Sequence, residues 1–155
     1  MGFDVHGLNP NNPNNAVRPT IDWSVKHTEK EKDEYFDALD KYEEEVVGDY
    51  FRNNVWFWRP LWMFVCDNCH DILSEKNMRG GSFNDGHIIS KTKATRIGKR
   101  LKKLFLNGTA KKFEIENNKE FDNDGNIQRV EYPFYADNVE RFAEFCINSN
   151  GFAIY

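Results

Sequence analysis

The chain is short of the residues that usually announce a class. Only three of its 155 residues are cysteine: Cys66, Cys69 and Cys146. A small, odd count gives no disulfide framework and implies free thiols in a reducing compartment. The start, Met1 to Gly7, lacks the basic and apolar regions of a secretory leader. Gly2 is not followed by the Ser or Thr of a myristoylation signal. No apolar run approaches the roughly 18 residues that span a bilayer. These absences predict a cytoplasmic protein with no membrane partner. Positive charge is also short, at 21 Lys and Arg against 25 Asp and Glu, a net charge of -4. That balance, with a pI near 5.6, does not favour nucleic acid as the partner.

Aromatic residues are what the chain does have. They make up 15% of a sequence that is 30% charged, with a mean hydropathy of -0.76. Disordered chains are polar but poor in aromatics. A few large core residues in a polar shell are therefore expected. With no internal repeat, the length suits one domain, residues 1–155, able to build a core without disulfides or metal.

The pattern predicts an α+β fold, with about four helices packed on a small, partly antiparallel sheet. Phe3 to Val5 reads as a strand, and Thr20 to Val25 as a second extended piece anchored by Trp23. Glu29 to Val47 reads as an acidic helix, with Tyr35, Phe36, Leu39, Tyr42 and Val46 as its apolar stripe. Thr28 and Glu31 form a capping-box pattern at its start, and Gly48 stops it. Pro60 is placed at the first position of a second helix running to Leu73. Met78 to Gly86 reads as loop. A basic helix follows Ser90, with a stripe of Ala94, Ile97, Leu101, Leu104 and Phe105, and ends at Asn107-Gly108. Phe113 to Glu116 reads as extended. Asp122 to Asn126 forms a tight turn, and Ile127 to Phe134 returns as a strand. A last helix is capped by Asp137, carries Val139, Phe142, Ala143, Cys146 and Ile147 on one face, and ends at Gly151. Phe152 to Tyr155 is read as a strand that pairs with Phe3 to Val5.

The run Tyr50-Phe51-Arg52-Asn53-Asn54-Val55-Trp56-Phe57-Trp58-Arg59-Pro60 is the most distinctive segment. With the Met-Gly-Phe-Asp-Val start, the Asn84-Asp85-Gly86-His87 step, Pro133-Phe134, the Val139 to Cys146 helix and Gly151-Phe152, the chain resembles a family of small phage and bacterial proteins. The resemblance covers most of the chain outside about residues 14 to 48 and 110 to 130. It makes residues 14–48 look like an acidic helical insertion. No activity is attached to that family, so the resemblance implies no mechanism. Many of its members carry two Cys-x-x-Cys pairs resembling a zinc module, but this chain has no cysteine between Cys69 and Cys146. The zinc inference is not carried over.

Within the aromatic segment, guanidinium and amide groups stand among rings. Such groups grip planar or anionic ligands by stacking and paired hydrogen bonds; equally, the rings are core and the arginines pair structurally. Arg52, Asn54, Trp58 and Arg59 are the candidate ligand-binding residues, with Asp85 and His87 beside them. The expected role is non-enzymatic binding of a small molecule or a protein partner, host or phage. One alternative is a phosphate-directed hydrolase using His87 and Asp85, an imidazole and a carboxylate on one loop. Another is a nucleic-acid contact through the basic helix, residues 91–103.

Other patterns lead nowhere definite. Cys66-Asp67-Asn68-Cys69-His70 matches a c-type haem attachment pattern, but that chemistry needs export. A structural zinc site takes four ligands, and only one cysteine pair is present. Asp122 to Asn126 echoes a calcium loop, but Tyr132 stands where the loop's glutamate belongs. No catalytic residue, metal ligand or cofactor is assigned.

Overall fold

The computed structural model describes residues 1–128 and 130–155, leaving aside the Ile127 side chain. In chain order the elements are β1 (Gly2–Gly7), α1 (Glu29–Glu45), β2 (Tyr50–Asn54), α2 (Val55–Asn68), α3 (Glu75–Gly80), β3 (His87–Ile89), α4 (Lys91–Leu106), α5 (Thr109–Asn117), β4 (Glu120–Phe121), β5 (Ile127–Gln128), α6 (Ala136–Ser149) and β6 (Phe152–Ile154).

Alternation along β1 turns Phe3 and Val5 inward, both buried, and leaves Asp4 and His6 on the other face. β2 does the same, with Phe51 and Asn53 inward and Arg52 outward. The four-stranded sheet has the order β2-β1-β6-β3, and each pairing is antiparallel. Val5 faces Ile154, so the predicted pairing of the first and last strands is present. α2 and α6 pack on the inward face, and α4 lies against α6. A close approach at Gly98 makes that last contact possible: a Cβ there would lie 2.8 Å from the Ala143 carbonyl oxygen. One buried cluster takes in Phe3, Trp58, Trp62, Phe142, Phe152 and Ile154.

The described residues hold six helices rather than about four, and the sheet is wholly rather than partly antiparallel. The two short helices lie where loop or strand was predicted. α3 takes Met78 to Gly80 from the expected loop, the rest of which is loop, because Ser74 and Asn77 form a capping box, with Asn77 N–H donating to Ser74 Oγ at 3.2 Å. α5 contains Phe113 to Glu116; Phe113 meets Phe64 and Phe134 at ring distances of 5.2 and 4.6 Å. Burying that ring outweighs its preference for strands.

α2 also begins earlier than predicted. Asn54 Oδ1 accepts from the Phe57 N–H at 3.1 Å and caps it, so Pro60 lies inside the helix. An interior proline costs about 3 kcal/mol. Burial of Trp58, Leu61, Trp62, Phe64 and Val65 on the same helix offsets that, at about 1.5–3 kcal/mol for each large side chain.

α1 carries the predicted capping box, with Thr28 N–H donating to Glu31 Oε2 at 2.7 Å. Its apolar stripe is only partly used. Tyr42 and Val46 are buried, but Phe36 is 48% exposed. Thr20 to Val25 is not a strand. Asp22 Oδ1 accepts from the Ser24 N–H at 2.9 Å and bends the chain, and Trp23 packs edge-on to Tyr35 instead.

α6 starts one residue before Asp137. The Ala136 N–H donates to Glu114 Oε1 at 3.0 Å, so a distant carboxylate replaces the local cap. The turn at Asp122 is present, with its carboxylate accepting from the Asp124 and Asn126 N–H groups at 2.9 and 2.8 Å. The strand predicted from Ile127 to Phe134 is formed at Ile127–Gln128; Arg129 lies outside the described residues, and Val130 to Phe134 is not strand.

A candidate docking groove

The six predicted site residues do not converge. Trp58 is fully buried, its indole N–H donating to the Gly81 carbonyl at 2.8 Å and its ring stacked between Phe3 and Trp62. Asn54 is the α2 cap. Arg52 points off the outward sheet face, its Nε 3.5 Å from Asp4 Oδ1. Arg59 is exposed, its Nη1 donating to the Tyr132 hydroxyl at 3.1 Å. Trp58 and Arg59 alone share a recess, about 240 Å³, with Trp62, Met63, Cys66 and Ser82.

Asp85 is exposed, and among the described residues no hydrogen bond joins it to His87. The His87 ring packs on Gly80, where a Cβ would come within 2.3 Å of it. Its Nε2 lies 3.2 Å from the Asn77 amide nitrogen, a donor, so Nε2 is the accepting nitrogen. Asn77 Oδ1 in turn accepts from Ser74 Oγ at 2.9 Å and from Lys93 Nζ. The imidazole is tied into a network that fixes α3 to β3.

The thiols are poor nucleophiles for a common reason. Burial pushes Cys66 up to about 12, with the nearby Asp67 carboxylate adding to it. Burial pushes Cys69 up to about 11, despite Arg100 nearby. The fully enclosed Cys146 lies well above the ordinary range. His70 is exposed, its Nδ1 at 3.1 Å from the Asp67 carbonyl. Among the described residues no three His, Cys, Asp or Glu side chains are arranged to hold a metal ion.

Most cations of α4 already have partners. Arg100 and Arg96 approach Asp71, Lys102 pairs with Glu144 at 2.5 Å, and Lys93 bonds Asn77. Among the described residues no ion pair joins the basic helix to α1.

A wider concavity than the Arg59 recess lies between α1 and α6. It measures about 530 Å³. Val47, 36% exposed, supplies most of its apolar surface, above the edges of the buried Phe51 and Phe145 and beside Tyr50. Asp40, Glu43 and Glu44 fall on one face of α1 by their helical spacing, and Glu140 and Glu144 do so on α6, so carboxylates stand on both walls. Among the described residues Arg141 is the single cation lining it, with its guanidinium 5.3 Å from the Phe51 ring centre. Glu43 is half-buried; burial raises its pKa, Arg18 opposes the rise, and Asp40 and Asp49 add to it.

Arg18 shows how this wall treats a guanidinium. It lies 3.3 Å from Glu43 and 2.5 Å from Asp49 while stacking over Tyr50 and Tyr42 at 5.5 and 5.8 Å. Sequence reasoning did not reach the groove, because its walls are about 100 residues apart. The available signal was the matched acidic spacing at 40, 43, 44 and 140, 144.

No protein-family model matches the chain, and comparison with curated proteins and with solved structures gives no match. No helix among the described residues is long and apolar enough to cross a membrane.

Proposed function

We propose that this is a non-enzymatic binding protein whose partner is another protein, held in the groove between α1 and α6 through a basic, partly apolar segment. The observation that carries the reading is a concavity with carboxylates on both walls and an apolar floor, Val47 over the edges of Phe51 and Phe145. Apolar area supplies affinity, and the charge selects cationic partners and speeds their approach. The lodging of Arg18 against Glu43 and Tyr50 supports it, since that contact uses the same residue types. The recess beside Arg59 is less than half as large and lined by one charged group.

The test is NMR shift mapping of the full chain with a blocked octapeptide of alternating Lys and Val, and with its Glu-Val counterpart. The Lys peptide is expected to move signals of Val47, Phe51, Arg141 and Phe145, and the Glu peptide none. Asp40→Asn, Glu44→Gln and Glu140→Gln together are expected to weaken binding several-fold, with the remainder lost in high salt. Shifts confined to the Trp58–Arg59 recess, or no binding of the Lys peptide, would overturn the reading.

A further inference from the structure

The groove has a second property, set by the backbone. Among the described residues β2 pairs with β1 alone and is an edge of the sheet. In antiparallel pairing, residues that exchange both backbone bonds alternate with residues that exchange none. Asp4 exchanges both with Tyr155: its N–H donates to the Tyr155 carbonyl at 2.7 Å and its carbonyl accepts from the Tyr155 N–H at 2.8 Å. The backbone groups of Asp4 therefore point toward β6. Its pairing with Arg52 on the other side is the kind without hydrogen bonds. The Arg52 N–H and C=O consequently point away from the sheet, and with a repeat of two so do those of Tyr50. Gly7 keeps the alternation, its N–H reaching the Asp49 carbonyl at 2.9 Å.

The Arg52 carbonyl is met by the Asn53 side-chain amide at 2.8 Å. The Arg52 N–H and both Tyr50 groups have no backbone partner among the described residues. Tyr50 lines the groove, so unpaired strand groups, apolar surface and carboxylates meet there. An open edge of this kind is a template for an added strand. A second copy is a poor occupant, because edge-to-edge pairing would set Asp40, Glu43 and Glu140 against the same acids of its neighbour.

We infer that an extended, basic segment of a partner protein adds to β2 as a further strand. Main-chain bonds to Tyr50 and Arg52 hold it. Residues of one parity face Phe51 and α6, and Lys or Arg residues of the other parity lie on the side of Tyr50, beside the carboxylates of α1. This rests on the protein-binding reading above and specifies how the partner is held.

The experiment compares the blocked Lys-Val octapeptide with two derivatives, one N-methylated at every Val and one at every Lys. Each derivative loses the N–H donors of one edge. Strand addition predicts affinities that differ by at least about tenfold between the two derivatives, the worth of one or two hydrogen bonds. It also predicts slowed hydrogen exchange at the Tyr50 and Arg52 amides on addition of the unmodified peptide. Equal binding of all three peptides, lost together in salt, would overturn strand addition and leave the protein-binding reading standing. Failure of all three to bind would overturn both. Protection of those two amides without peptide, in a concentration-dependent dimer, would give the edge to a second copy and also overturn the inference.

Discussion

The Trp58 indole donates to the Gly81 carbonyl at 2.8 Å, and Gly81 in turn lies against Trp62, where a Cβ would come within 1.9 Å of the ring. Two stacked tryptophans of α2 are thus keyed to the backbone that follows α3. Trp58→Phe keeps most of the ring but leaves a buried carbonyl unpaired, at a cost of about 1–3 kcal/mol. Gly81→Ala forces the Trp62 ring to move and is expected to cost about 1–3 kcal/mol by overpacking. Urea unfolding of both variants checks this; wild-type midpoints would show that the hydrogen bond and the close contact are dispensable.

Asn53 and Asn138 bond each other reciprocally, at 3.2 and 2.7 Å, and tie β2 to α6. Asn53 is 6% exposed. Removing one partner strands the other, so Asn53→Ala is predicted to destabilise by about 1–3 kcal/mol. A double-mutant cycle with Asn138→Ala should return a coupling of about 0.5–3 kcal/mol, and additivity would contradict it.

At Gly98 two effects compete. Alanine gains up to about 1 kcal/mol of helix propensity. It also places a methyl 2.7 Å from Ile147 Cγ1 and 2.8 Å from the Ala143 carbonyl, and overpacking costs about 1–3 kcal/mol. The carbonyl belongs to a helix backbone and yields little, so the net effect is destabilising. Gly98→Val, with a smaller propensity gain and a larger side chain, should be worse. Thermal melts of the pair decide the order.

Tyr50 gives an alkaline signature. Burial first, then its hydrogen bond to Asp4 and that carboxylate's charge, push its phenol up to about 12. The folded pKa lies above the unfolded one, so this contribution to stability is complete below about pH 10. It is lost as pH rises toward 12. Tyr50→Phe should flatten the stability profile in that window, and Asp4→Asn should bring one tyrosinate absorbance step to lower pH. An unchanged titration in Asp4→Asn would contradict the assignment.

Thiol reactivity follows the same logic. All three cysteines are shifted upward by burial, so a thiol-disulfide reagent at neutral pH should react slowly with the folded chain and rapidly in denaturant. Cys66, the only one not fully buried, should react first. Fast labelling of Cys146 in the native state would show an opening that the packing does not suggest.

Much of the fold was legible because local signals agreed with tertiary ones. The Thr28–Glu31 box, the Asn107 stop of α4, the turn at Asp122 and the pairing of the first and last strands all rest on short-range chemistry or plain alternation. Misplaced boundaries had distant causes. Glu114 caps α6 from another helix, Asn54 starts α2 upstream of a proline, and Phe113 is drawn into a helix by Phe64 and Phe134. The candidate site was less legible. Strand alternation turns Arg52 outward while α2 carries Trp58 onto the inward face, so sequence neighbours part across the sheet, and the groove needs two helices whose proximity no local pattern encodes.

β1 and β6 sit side by side at the centre of the sheet although they come from opposite ends of the described sequence. Until Phe152 to Ile154 arrives, β3 has no neighbour and β1 is half open. The sheet therefore closes only when Phe152 to Ile154 is in place, a pairing of high sequence separation that favours slow folding. Removing those three residues should abolish the architecture rather than trim it.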